Sequence, residues 1–81
     1  MNVEFTRIED NMIQFECTDF DGTVYGVADT LEKGKVIDTF IVHMGTYDEV
    51  QDSELFKRIV TARAAYVNEN SDIQNVIKEF V

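Results

Sequence analysis

The sequence predicts an α+β fold: a four-stranded antiparallel meander followed by two C-terminal helices packed on one of its faces (ββββαα). Three observations predict it. Through residue 44 apolar residues recur at every second position. Short polar or glycine-containing segments interrupt that pattern at three places. Beyond Gly45 the apolar spacing lengthens to that of a helix.

Residues 3–8 (VEFTRI) and 12–18 (MIQFECT) alternate, with Val3 and Phe5, then Ile13, Phe15 and Cys17, as the inward sets. Glu9-Asp10-Asn11 forms the polar turn between them. The segment from Asp19 to Gly22 separates the second strand from TVYGVADTL, and its Asp-Gly pair is a hairpin signal because glycine tolerates positive φ. Glu32-Lys33-Gly34 turns the chain into KVIDTFIVHM, rich in β-branched residues. On this fourth strand both faces are apolar. The pattern places Val36, Phe40, Val42 and Met44 toward the helices and Ile37 and Ile41 outside, with His43 also facing away from the helices.

The first helix carries a stripe of Leu55, Ile59, Ala62 and Tyr66, flanked by Phe56, Val60 and Val67. Asp52 or Ser53 caps its start, while Thr46–Glu49 offers an earlier capping box. Ser71-Asp72-Ile73-Gln74 is a second such box. It opens a short helix with Ile73, Val76, Ile77, Phe80 and Val81 on one face.

Size and charge bound the function. At 81 residues and 9.3 kDa the chain is expected to form one domain. A net charge of −9 repels nucleic acid and anionic membranes, so neither is expected as a direct partner. One cysteine makes no intramolecular disulfide and no zinc site by itself. The N-terminus lacks the pattern of a signal peptide, and no stretch approaches the roughly 20 apolar residues of a membrane span. The expected location is the cytoplasm.

Residues 18–24, TDFDGTV, resemble the first motif of the haloacid dehalogenase superfamily. The resemblance implies Asp19 as nucleophile and Asp21 as acid/base, both holding magnesium. It covers about seven residues. The preceding IQFECT alternates as an antiparallel strand does, where that family has a buried parallel one. No Gly-Asp-x-x-x-Asp follows. The segment is therefore read as a hairpin turn. An EF-hand starting at Asp19 also fails, because glycine falls at position 4 and threonine at position 12. Glu16, Asp19 and Asp21 near Cys17 disfavour its thiolate. No nucleophile triad, phosphate-cradling loop or cofactor pattern is present in the sequence, and a non-enzymatic protein without cofactor is expected.

The charge distribution is the remaining signal. Residues 1–50 carry 11 acids against 3 bases, and residues 51–81 carry 5 against 4. A meander gathers Asp19, Asp21, Asp48, Glu49 and Asp52 at one end of the sheet, with Glu4 nearby. At the other end Glu9, Asp10 and Glu32 are diluted by Arg7, Lys33 and Lys35. The undiluted end is expected to bind a basic surface on another protein, of the kind that nucleic-acid-handling proteins carry. In size and charge the chain resembles phage-encoded DNA mimics and anti-restriction or anti-CRISPR inhibitors. The alternative is a homodimeric accessory subunit whose acidity serves solubility and whose interface is built on Ile37 and Ile41.

Overall fold

The structure, a computed structural model, describes residues 1–80; Val81, assigned above to the last apolar face, lies outside them. Its elements are β1 (Asn2–Glu9), β2 (Met12–Thr18), β3 (Val24–Glu32), β4 (Lys35–His43), α1 (Ser53–Glu69) and α2 (Ser71–Lys78). The strands lie in the order β1-β2-β3-β4, each antiparallel to the next. The ββββαα architecture read from the sequence is the architecture observed.

Each hairpin follows from its turn residues. Asp10 at φ 55° closes a two-residue loop between the paired Glu9 and Met12. Lys33 and Gly34, at φ 54° and 75°, both take the left-handed conformation between the paired Glu32 and Lys35. That combination is the one whose twist matches a two-residue hairpin. The Gly34 amide also donates to the carbonyl of Phe80, tying the end of α2 to this turn.

Inward residues of the four strands form rows across one face. One row runs Phe5, Phe15, Val27, Ile41, and the Val50 amide extends it by donating to the Ile41 carbonyl at 2.9 Å. Ile59 of α1 is buried in this core, and Tyr66 meets Phe15 edge-on at 5.9 Å between ring centres. Ile73, Ile77 and Phe80 pack against the same core. Both helices thus cover one face and leave the other open.

The face assignment of β4 is corrected. Ile41 is 1% exposed and lies in the core, while Phe40 is 49% exposed and points away from the helices. His43 lies on the helix side, its ring 5.1 Å from that of Tyr25. Ile41 is therefore no part of an outer dimer patch. Only Ile37, 56% exposed, remains accessible.

The cause is a bulge. Leu31 pairs with Val36 but Thr30 pairs with Asp38, which leaves Ile37 unpaired. Without this extra residue the hairpin register would set Asp38 opposite Asp29 on the buried face. Two carboxylates side by side there would repel in a low dielectric. The bulge brings Thr39 opposite Asp29 instead, and its hydroxyl donates to Asp29 Oδ1 at 2.6 Å. Every residue beyond Ile37 consequently changes face.

The helix boundaries are resolved as well. Asp52 caps α1, its Oδ1 accepting the Glu54 and Leu55 amides at 2.9 and 3.2 Å. The Thr46–Glu49 segment is not helical, because Glu49 bridges to Val42. The cap of α2 is Asn70 rather than Ser71, and Gln74 reaches back to the Val67 and Asn68 carbonyls, both at 2.9 Å. A single residue separates the helices, so α2 is fastened to the last turn of α1 and the expected box has no room to form.

Candidate functional site

The meander does bring the β2–β3 turn and the exit of β4 to one end, but the six acidic residues there are not equivalent. Three have structural work. The carboxylate of Asp19 meets Arg58 of α1, Nη2 to Oδ2 at 2.9 Å, and also accepts the Phe20 amide at 2.8 Å. Asp21 accepts the Thr23 amide at 3.0 Å, and that bond holds its carboxyl below the usual aspartate range. Asp52 is the helix cap described above. Glu4, Asp48 and Glu49 are exposed, and among the described residues none of them is ion-paired.

The expectation that this end is undiluted by bases is corrected by Arg58, which pairs with Asp19. Their separation in sequence, 39 residues, hid the contact. The turn itself is a compact hairpin loop. Gly22 at φ 87° donates to the Asp19 carbonyl at 3.0 Å, and the Asp19 amide donates to Thr23 at 2.9 Å. With every one of these bonds made inside the loop, Phe20 is left pointing outward and 89% exposed. Nothing in the alternation marked Phe20, since it falls within a turn.

Two further features went unread. Glu16 pairs directly with Glu4, and the same transverse row continues through Gly26 and Val42 to Glu49. Three glutamates therefore share one row of the open face. Asp29, fully buried, lies beneath α1 with Arg63 Nε at 3.0 Å from its Oδ2. The two are close as an ion pair without the alignment of a hydrogen bond. Burial raises the Asp29 pKa, offset in part by the Thr39 hydroxyl and Arg63.

Nucleophilic chemistry finds little support in this geometry. Cys17 is fully buried and its thiol is pushed up to about 11, chiefly by burial. Tyr25 stands between Cys17 and His43 in the register, so the two lie two strand spacings apart, about 9–10 Å. Among the described residues no three His, Cys, Asp or Glu side chains converge to hold a metal ion. No described helix is long and apolar enough to cross a membrane.

No family model matches this chain, and no curated protein or solved structure is significantly similar to it.

The turn geometry gives a direct expectation for TDFDGTV. Purified protein with magnesium should turn over no phosphate ester. Asp19→Asn should lower stability by about 1–2 kcal/mol without unfolding the protein, because the Arg58 side chain of the pair is 54% exposed while that of Asp19 is only 11% exposed. A colorimetric phosphatase assay and urea unfolding check both parts. Magnesium-dependent hydrolysis lost in Asp19→Asn would restore the phosphatase reading.

Proposed function

We propose that this protein is a non-enzymatic binding module that docks on the basic, nucleic-acid-binding surface of a partner protein, in the manner of a DNA mimic. The supporting observation is the set of exposed carboxylates at one end of the sheet, Glu4, Asp21, Asp48 and Glu49, none of them ion-paired among the described residues. Desolvating a carboxylate against arginine or lysine gives charge-assisted hydrogen bonds, which Glu4, Asp48 and Glu49 offer freely and Asp21 offers through the oxygen not taken by the Thr23 amide. Phe20 adds an apolar contact beside them, and an exposed aromatic framed by charge is a common anchor at protein interfaces. Asp19 and Asp52 are support rather than contact residues in this reading, since one orients the loop and the other caps α1. The place of action is the compartment that holds such a partner, the cytoplasm.

The test compares the two ends of the sheet. Asp48→Lys with Glu49→Lys should weaken capture of a basic partner at least tenfold. Glu9→Lys with Glu32→Lys should change it little. Capture should fall steeply with added salt, mainly through slower association, and duplex DNA should compete for the partner. Equal losses at both ends, or no salt dependence, would leave the acids as a solvated surface only.

A further inference from the structure

The face of the sheet away from the helices carries a trough that runs along β3. Its floor is short because Gly26 and Ala28 both point outward there. Its walls are unlike each other. On the β4 side stand Phe40, Val42 and Met44, with Tyr47 at the end; on the β2 side stand Gln14 and Glu16. The trough encloses about 300 Å³. The Met44 sulfur leans over Gly26, where an added Cβ would lie 2.6 Å from it. A flexible thioether can move aside for an incoming group.

The apolar wall faces a polar one of Thr6, Arg7, Gln14 and Glu16, with Glu4 paired to Glu16 just behind it. Glu4 and Glu16 are direct cross-strand neighbours, an arrangement that costs a strand pair stability. The basic side chain at the trough, Arg7, does not relieve it. Arg7 is held by Glu9 at 3.4 Å and by Gln14 Oε1 at 3.2 Å. A second copy of this chain is a poor occupant, because a two-fold contact over this face would crowd Glu4, Glu16 and Glu49 against their own images on a chain of net charge −9. A cationic occupant removes the repulsion. The walls stand two strand spacings apart, about 9–10 Å, which seats an extended chain but not a helix of about 10–12 Å with its side chains.

We propose that this trough binds an extended basic segment of a partner protein, with aliphatic side chains directed at Phe40, Val42 and Met44 and arginine or lysine directed at Glu4 and Glu16. The side chains of an extended chain alternate in direction, so the segment alternates apolar and basic residues. Tyr47 and Phe40 also present ring faces on which a guanidinium can stack. The proposal deepens the function given above and rests on it, since it names the chemistry that the basic partner brings.

The experiment uses two labelled peptides of about twelve residues, one alternating arginine with leucine and one alternating arginine with serine. Their charge is equal. Binding is followed by fluorescence anisotropy at low and high salt, with amide chemical shifts recorded for the complex. Wild-type protein should bind the arginine–leucine peptide about tenfold or more tightly than the arginine–serine one. Shifts should concentrate at Gly26, Ala28, Phe40, Val42 and Met44. Phe40→Ser with Val42→Ser, both on the open face, should reduce the first peptide to the level of the second. Glu4→Gln with Glu16→Gln should weaken both peptides and flatten their salt dependence. Circular dichroism of each variant guards against a loss of fold.

Equal affinity for the two peptides would overturn the trough while leaving the electrostatic function standing, provided Asp48→Lys with Glu49→Lys still weakens both. Binding of neither peptide would sink both readings. A wild-type dimer that Phe40→Ser with Val42→Ser dissolves would mean that a second copy covers this face, and would also overturn the proposal.

Discussion

Arg63→Ala is expected to destabilise the protein by about 3–5 kcal/mol, because it strands a carboxylate in the core. The Asp29 side chain is 1% exposed and that of Arg63 13%, so neither has water to fall back on. The Thr39 hydroxyl satisfies Asp29 Oδ1 but leaves Oδ2 to the arginine. Replacing both partners at once, Asp29→Leu with Arg63→Met, should be far milder, since it removes the desolvated charges together. The pH dependence has a definite sign. Burial raises the folded-state pKa of Asp29 above its ordinary value near 3.8. The folded protein therefore holds the proton more tightly than the unfolded chain. The stability this confers is full below about pH 3.8 and is lost as pH rises through the folded pKa. Relative to Asp29→Asn, wild type should gain stability as pH falls through that window. In Arg63→Ala the gain should be larger, because the cation that favours ionisation is gone. Urea unfolding over a pH series measures all three proteins, and parallel pH profiles would show that Asp29 is not in the core.

Ile41→Glu is expected to abolish folding. Ile41 lies 1% exposed between Val27 and the Val50 segment, and burying a carboxylate there costs several kcal/mol. A chain of this size has a total stability of about 5–15 kcal/mol at best, so little margin remains. Ile41→Val should cost about 0.5–1.5 kcal/mol. Phe40→Glu, one residue away but on the open face, should leave the protein folded. Thermal unfolding followed by circular dichroism separates the two substitutions. A folded Ile41→Glu beside an unfolded Phe40→Glu would mean that β4 has the opposite face against the helices.

Strand and helix content was legible in the sequence because local rules decide it. The period-two runs, the Asp-Gly and Lys-Gly turns and the apolar stripe of Leu55, Ile59 and Tyr66 each carry their instruction within a few residues. Three short connections then leave an antiparallel meander as the simple topology, and with it the gathering of Asp19, Asp21, Asp48 and Glu49 at one end. Local reasoning also identified Asp52 as a helix cap, although it offered Ser53 equally.

The tertiary structure alone decided which of those residues are free. Asp19 looked unpaired because its partner, Arg58, lies beyond two more strands. The faces of β4 could not be read from alternation, since Val36, Phe40 and Val42 on one parity and Ile37 and Ile41 on the other are both apolar. Val36, opposite Leu31, stays on the helix side, and beyond the bulge Phe40 and Val42 turn outward while Ile41 turns inward. Asp29 settled the matter: its parity on β3 was fixed by Tyr25, Val27 and Leu31, and a buried carboxylate needs a donor opposite it rather than a second acid. The bulge at Ile37 supplies Thr39, and its consequence three residues later is an open apolar wall beside the glutamates. Periodicity records how each segment would bury its own side chains, whereas register is set by pairing across the sheet, where one desolvated charge outweighs several methylenes.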